Sequence, residues 1–202
     1  MDGTLIEAAA SLKSFKRRDG DPPANDGDPG NPSVDFRGEQ RSNATHQSTT
    51  DPEARLLRKG KGKEAKLAFL AHALMENRNG LLAYFQVTPG TGTAERDAVP
   101  MLLEQAKERG FHPQTVGADK GYDTQDCVGA IRRCGVTPHV AQNTSGRRSA
   151  LDTRTTRHRG YVLSQRVRKR VEEIFGWMKT VGGFRRTRHR GLDRTGPWRV
   201  TW

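Results

Sequence analysis

The stretch Val116-Gly117-Ala118-Asp119-Lys120-Gly121-Tyr122-Asp123 decides how the rest of the chain is read. A short apolar approach, Val116 and Ala118, ends on a carboxylate. A glycine follows two residues later, then an aromatic ring and a second carboxylate. The residues before Asp119 predict a strand, and residues 124–134 predict a helix closed by Gly135. An acid at the exit of a strand faces the crevice where open α/β sheets bind ligands. The same pattern also describes an ordinary strand-to-helix turn, with Asp119 as a cap. The flanking chain has to separate the two.

Composition narrows the options. The chain has 202 residues, 33% of them hydrophobic, a mean hydropathy of −0.84 and a formal net charge of +12. The apolar core is therefore modest, and the charge asks for a polyanionic partner, nucleic acid first. No run approaches the length of a membrane span and no apolar leader opens the chain, which predicts a cytoplasmic protein. Cys127 and Cys134 are too few for a disulfide framework and fall on one helix face as small core residues. Residues 147–190 hold 14 Lys and Arg against 3 Asp and Glu. That density predicts a phosphate-binding surface including Arg147, Arg148, Arg185, Arg186 and Arg188.

Taken outward from the central stretch, the chain alternates strands and helices. Asp2-Gly3-Thr4 suits a strand end with almost nothing before it. Residues 16–53 are rich in Asp, Gly and Pro without apolar periodicity, which predicts a long disordered insertion loop. Residues 66–75 are nearly continuously apolar, as in a strand buried on both faces, with His72 as a packed strand histidine. Asn79-Gly80 turns this strand into the next one, residues 81–87. Residues 93–110 predict a helix buried through Val99, Leu102, Leu103 and Ala106, its true start pushed toward Asp97 by Pro100. A short strand at 136–141 sits at an edge because of Pro138, and residues 143–161 form a basic, turn-rich loop.

Residues 165–180 make the clearest helix, with Val167, Val171, Ile174, Phe175 and Met178 in one stripe. Beside the stripe stand Arg168, Glu172 and Lys179, within about forty degrees of one another at 3.6 residues per turn. Glu173 points toward solvent, and Trp177 faces away from Glu172, as a packing residue first and a base-stacking ring second. Three carboxylates, Asp2, Asp119 and Glu172, thus fall on two strands and a helix packed against them. Converging acids of this kind hold Mg²⁺, a hard cation that takes carboxylate oxygens. Singly, each has a plainer role: a turn for Asp2, a cap for Asp119, a surface pair with Arg168 for Glu172.

The segments Asp2-Gly3-Thr4-Leu5-Ile6-Glu7-Ala8, Asp119-Lys120-Gly121-Tyr122-Asp123 and Arg168-x3-Glu172-x6-Lys179, the last with Phe175-Gly176-Trp177, closely resemble the DDE transposases of bacterial insertion sequences. The group is the one that includes the IS-five-like and IS-four-like elements, and the likeness runs from residue 2 to about residue 192. It implies an α/β fold, a ribonuclease H-like mixed sheet with flanking helices. It implies Asp2, Asp119 and Glu172 as catalytic, metal-binding residues using Mg²⁺, with Mn²⁺ as a substitute. It implies Arg168 and Lys179 on DNA phosphates. The expected partner is double-stranded DNA, both transposon ends and target, with a homodimer for the full-length protein, no membrane, and a nucleoid-associated location in the cytoplasm. The expected chemistry is strand cleavage followed by strand transfer. The catalytic domain spans residues 1–192, followed by a divergent tail at 193–202. Against the family pattern, the N-terminal DNA-binding domain is absent, the first strand is cut short, and Gln165 replaces a tyrosine. These departures predict a fragment truncated at both ends, either catalytic or reduced to non-catalytic DNA binding.

Overall fold

A computed structural model describes residues 1–18, 34–60 and 62–196. The strands in chain order are β1 (Asp2–Glu7), β2 (Phe15–Arg17), β3 (Val34–Phe36), β4 (Glu39–Arg41), β5 (His46–Ser48), β6 (Arg55–Arg58), β7 (Ala65–Glu76), β8 (Leu81–Pro89), β9 (Thr115–Ala118) and β10 (Thr137–Val140). The helices are α1 (Ala94–Asp97), α2 (Val99–Glu108), α3 (Gln125–Arg133), α4 (Thr153–Arg157), α5 (Arg159–Val167), α6 (Val171–Thr180) and α7 (Leu192–Thr195). The result is a mixed α/β fold. A four-stranded sheet runs β1-β7-β6 with β8 also on β7, and β6 lies antiparallel to β7. β10 and β9 pair in parallel as a separate two-stranded sheet. One mixed sheet was expected. Instead, β9 and β10 form a sheet of their own, and Met1 N donates to the Gly117 carbonyl at 2.8 Å, tying the start of β1 to β9.

The chain divides into two compact units. The first comprises Met1–Gly3, His72–Gln86 and Glu95–Trp177. Its core gathers Leu74, Val99, Leu102, Leu103, Ala106, Val116, Ala118, Tyr122, Val128, Ile131 and Val140. The expected α2 stripe of Val99, Leu102, Leu103 and Ala106 is completely buried. Pro100 stands within the first two positions of α2, where a missing amide costs little. Neither Thr93 nor Asp97 caps that helix. The segment breaks at Ala98 into α1 and α2, and Ala98 makes no side-chain cap. Thr124 caps α3, and Gly135 follows at φ 69°.

The second unit comprises Thr4–Ala71, Val87–Ala94 and Met178–Trp202. Here the expected structureless insertion needs correction. Its residues 19–33 lie outside the described chain, but residues 34–53 are folded. β2 pairs with β5 and β3 with β4. The cause is polar rather than apolar, so periodicity missed it. Arg41 donates to the Leu12 and Phe15 carbonyls. His46 bonds Glu39 and stacks on Phe15, and Ser14 bonds Ser48. Asn43 takes both the amide and the carbonyl of Leu56. The divergent tail is described only to residue 196.

Two further expectations change. The basic loop at 143–161 contains α4 and the start of α5. Asp152 caps α4 through the Thr155 amide at 2.8 Å, and His158 caps α5 through the Gly160 amide at 3.1 Å. The single helix predicted over 165–180 is interrupted by a 3₁₀ turn, Arg168–Arg170, between α5 and α6. Three adjacent cations are held there between two β-branched valines. Arg170 reaches sideways to the Asn77 carbonyl at 2.8 Å, and the tighter turn accommodates that.

Candidate functional site

β9 delivers its carboxylate where expected. Asp119 follows the last buried strand residue and caps a 3₁₀ turn, Lys120–Tyr122, its Oδ1 accepting the Gly121 amide at 2.7 Å. The plain turn role is therefore real, and it uses one oxygen. Tyr122 packs inward with 1% exposure and pins the turn to the core. Asp2 opens β1 and behaves alike, its Oδ1 accepting the Gly3 amide at 2.8 Å.

The three expected acids fall in one unit and act on one another electrically. Burial pushes the Asp2 carboxyl above its ordinary range and the negative charges of Asp119 and Glu172 push it further up, while the Gly3 amide and the Met1 ammonium oppose that. Glu172 is exposed in the first turn of α6. The plainer alternative, a surface pair with Arg168, is not formed: Arg168 Nε donates to Gln165 Oε1 at 3.0 Å instead. Arg168 is also packed on β9, because a Cβ at Gly117 would meet Arg168 Cβ at 3.2 Å.

Sequence reasoning missed a fourth acid. Glu95, on α1, lies against β1: a Cβ at Gly3 would stand 2.6 Å from Glu95 Oε1. Burial raises the Glu95 carboxyl to about 7, with the charges of Asp2 and Asp119 adding to the shift. Burial and the charges of Glu95, Asp2 and Asp119 also raise the Tyr122 phenol well above its ordinary value. The only signal was an acid beside Arg96 on a short helix, which looks like any solvated pair. Among the described residues, none of Asp2, Glu95, Asp119 and Glu172 forms an ion pair.

Carboxylate oxygens suit a hard divalent cation. Yet among the described residues no three His, Cys, Asp or Glu side chains are gathered closely enough to hold a metal ion. The donor chemistry fits, but the coordination sphere is not closed in this conformation.

Asp123, the second acid of the central stretch, has a different job. It is 1% exposed, and its two oxygens accept the Asn143 and Ala150 amides at 2.6 and 2.9 Å. Arg147 donates to its carbonyl, so the turn after β9 fixes the basic loop that presents Arg148.

The remaining expected cations belong to the second unit. Lys179 Nζ donates to Thr4 Oγ1 at 2.6 Å. Burial, followed by the nearby charges of Lys59 and Arg185, lowers its amine. Arg186 Nε bonds the Ala8 carbonyl at 3.2 Å, while the backbone of the Arg185–Thr187 segment brackets Glu7. Arg188 is exposed. Trp177, expected to pack first, is 72% exposed: the buried side of α6 ends with Val171 and Phe175, and the indole lies off it.

A comparison with protein families places this arrangement. The family described as Transposase DDE domain matches residues 35–196, well over half of the chain. The chain belongs to that family, the DDE transposases of insertion sequences. The match takes in Asp119 and Glu172 and begins after Asp2. No curated protein and no solved structure matches the chain. Among the described residues no helix is long and apolar enough to cross a membrane.

Proposed function

We propose that this chain is a ribonuclease H-like catalytic domain that cleaves and joins DNA strands with divalent metal ions, with Asp2, Asp119 and Glu172 as the metal-holding acids. One observation carries the proposal. In a member of the transposase family, the charges of Asp119 and Glu172 both bear on Asp2, and none of the three forms a side-chain ion pair among the described residues. Mg²⁺, or Mn²⁺ in its place, supplies Lewis acidity at the scissile phosphate and an activated water or 3′-hydroxyl. The chain's own residues orient the reaction. Asp2 and Asp119 each commit one oxygen to a neighbouring backbone amide, which restrains the carboxylate. Glu172, exposed in the first turn of α6, would be the third acid to hold such an ion. Arg168, steadied by Gln165 and Gly117, offers its guanidinium to a phosphate.

Double-stranded DNA, as transposon end and as target, is the substrate. Arg147, Arg148, Lys179, Arg185, Arg186 and Arg188 supply the salt-sensitive part of its binding. A homodimer and a nucleoid location follow from that role. The open geometry of the acids favours a second reading, a non-catalytic DNA-binding remnant. Plasmid nicking decides between them. Mg²⁺- or Mn²⁺-dependent nicking that Asp119→Asn and Glu172→Gln abolish supports the enzyme. Salt-sensitive DNA binding without nicking supports the remnant, and nicking that both variants retain removes the acid centre.

A further inference from the structure

We propose that a cavity at the start of β9 and β10 is a phosphate-binding site, holding the phosphate of a DNA strand or of a free nucleotide between His139, His158 and Arg154. The cavity lies within the first unit and has a volume of about 590 Å³, inside the usual range for a small-molecule site. Its lining includes Thr115 and Thr137, the first residues of the two strands, whereas Asp119 follows the last residue of β9. It therefore stands at the opposite end of this sheet from Asp119 and does not depend on the acids.

Two imidazoles make the site. His139 is 3% exposed and lines the cavity. Its Nδ1 meets Ser164 Oγ at 2.7 Å, and no hydrogen bond to its Nε2 is recorded among the described residues. A buried ring nitrogen without a protein partner, on a cavity wall, calls for a partner in the cavity. His158 accepts the Gly160 amide on Nδ1 at 3.1 Å, so its neutral ring carries the proton on Nε2 and has a donor to offer. The rings flank Gly160: a Cβ there would stand 3.0 Å from His158 Nδ1 and 3.6 Å from His139 Cε1. Burial, followed by the charge of His158, lowers the His139 imidazole, and an anion held between the rings offsets both.

The surroundings favour an anion as well. Arg154 also lines the cavity, and its exposed guanidinium touches Asp152 only at 3.9 Å, which leaves it able to close over a ligand. Asp152 is a lining carboxylate, but its oxygens are engaged. Its Oδ1 takes the Thr155 amide and hydroxyl at 2.8 and 2.9 Å, and its Oδ2 faces Arg132 at 3.2 Å. α5, nine residues long, begins at the cavity, and the positive end of its dipole adds to the field there. A guanidinium fork beside ring N–H donors matches the oxygens of a phosphate, and a neutral ligand would leave that charge unanswered.

The test titrates the full chain with inorganic phosphate in the presence of EDTA, so that a failure of the metal-holding acids does not touch it. The imidazole NMR signals of His139 and His158 shift and saturate. Arg154→Gln weakens the binding about tenfold, the size expected for one charge-assisted hydrogen bond. Gly160→Ala removes no donor and suits a helix better than glycine, yet it puts a methyl group between the rings and weakens binding similarly. Arg166→Gln makes the same charge change at an exposed position of α5 outside the cavity and leaves binding unchanged. Anisotropy with labelled duplex DNA and titration with a deoxynucleoside 5′-monophosphate then separate the sources. Arg154→Gln and Gly160→Ala variants that also weaken duplex binding assign the phosphate to DNA. Variants that weaken the mononucleotide alone assign it to a free nucleotide. Histidine signals that stay still under phosphate, or wild-type binding in both cavity variants, overturn the site. Equal weakening by Arg166→Gln reduces the binding to net charge and overturns it too.

Discussion

Asp119 and Asp123 stand four residues apart on either side of a buried tyrosine, and their carboxylates meet opposite surroundings. Asp123 is enclosed, and both of its oxygens are taken by amides of the loop it clamps. Asp119 gives one oxygen to Gly121, no hydrogen bond to its second is recorded among the described residues, and its charge bears on Asp2. A carboxylate with all its acceptors satisfied serves the fold. One left among like charges weakens the fold and keeps its capacity for a ligand. One turn therefore carries both kinds of aspartate, and the hydrogen-bond inventory, not the residue type, tells them apart.

The sharpest way to break this contrast is stability. Asp123→Ala removes two charge-assisted bonds and strands the Asn143 and Ala150 amides, at a cost of about 4 kcal/mol. Urea unfolding measures it, and proteolysis at residues 143–150 should rise in parallel. A cost no larger than that of Asp119→Asn would mean that the loop holds without its clamp.

The contrast has to be measured above pH 6.5, because His72 adds a loss of its own in acid. Burial within β7 lowers its imidazole from 6.5 to about 4. The folded state thus keeps this histidine neutral while the unfolded chain accepts a proton. Its contribution is complete above pH 6.5 and is lost as pH falls through 4, about 3 kcal/mol in all. His72→Leu flattens that part of the stability–pH curve. A slope between pH 6.5 and 4 that is unchanged in the variant would assign the acid sensitivity to other groups.

Asp119→Asn comes next in size, with the opposite sign. The amide keeps an oxygen for Gly121 and removes one of the repelling charges, so the chain gains up to about 1 kcal/mol at pH 7. Mg²⁺ raises the melting temperature of wild type and not of the variant. A destabilised Asp119→Asn would show that the charge at this position contributes to the fold after all.

The same distinction explains what the sequence disclosed. Elements held by apolar periodicity were legible: the run at 66–75 is β7, Gly80 turns at φ 75°, and α2 buries its four expected residues. Elements held by polar contacts were not. β2 to β5 rest on Arg41, Asn43, His46 and Ser48, residues that also populate loops. α5 leaves Val162 and Leu163 each 58% exposed, so no buried stripe marks it. In the site, the motif spacing singled out Asp119 and Glu172. Glu95 was silent, because its meaning lies in a contact with Gly3, ninety-two positions away in the chain. The break at Arg168–Arg170 was hidden for the same reason, since its partner is the Asn77 carbonyl.

Trp177 offers the smallest effect on stability and a separate test of what exposure means. At 72% exposure the ring contributes little to the core, and Trp177→Ala changes stability by less than about 0.5 kcal/mol. An idle aromatic ring would leave DNA binding equally untouched. A ring that stacks on an unpaired base contributes about 1–3 kcal/mol per base, so the same substitution would weaken single-stranded DNA binding by about fivefold or more. Fluorescence titration of the wild-type indole with single-stranded DNA reads the contact directly, and anisotropy with labelled DNA reads the variant. Unchanged stability with weakened binding makes Trp177 part of the working face of α6. Lost stability would restore it to the core and would require a packed surface that the described residues do not provide.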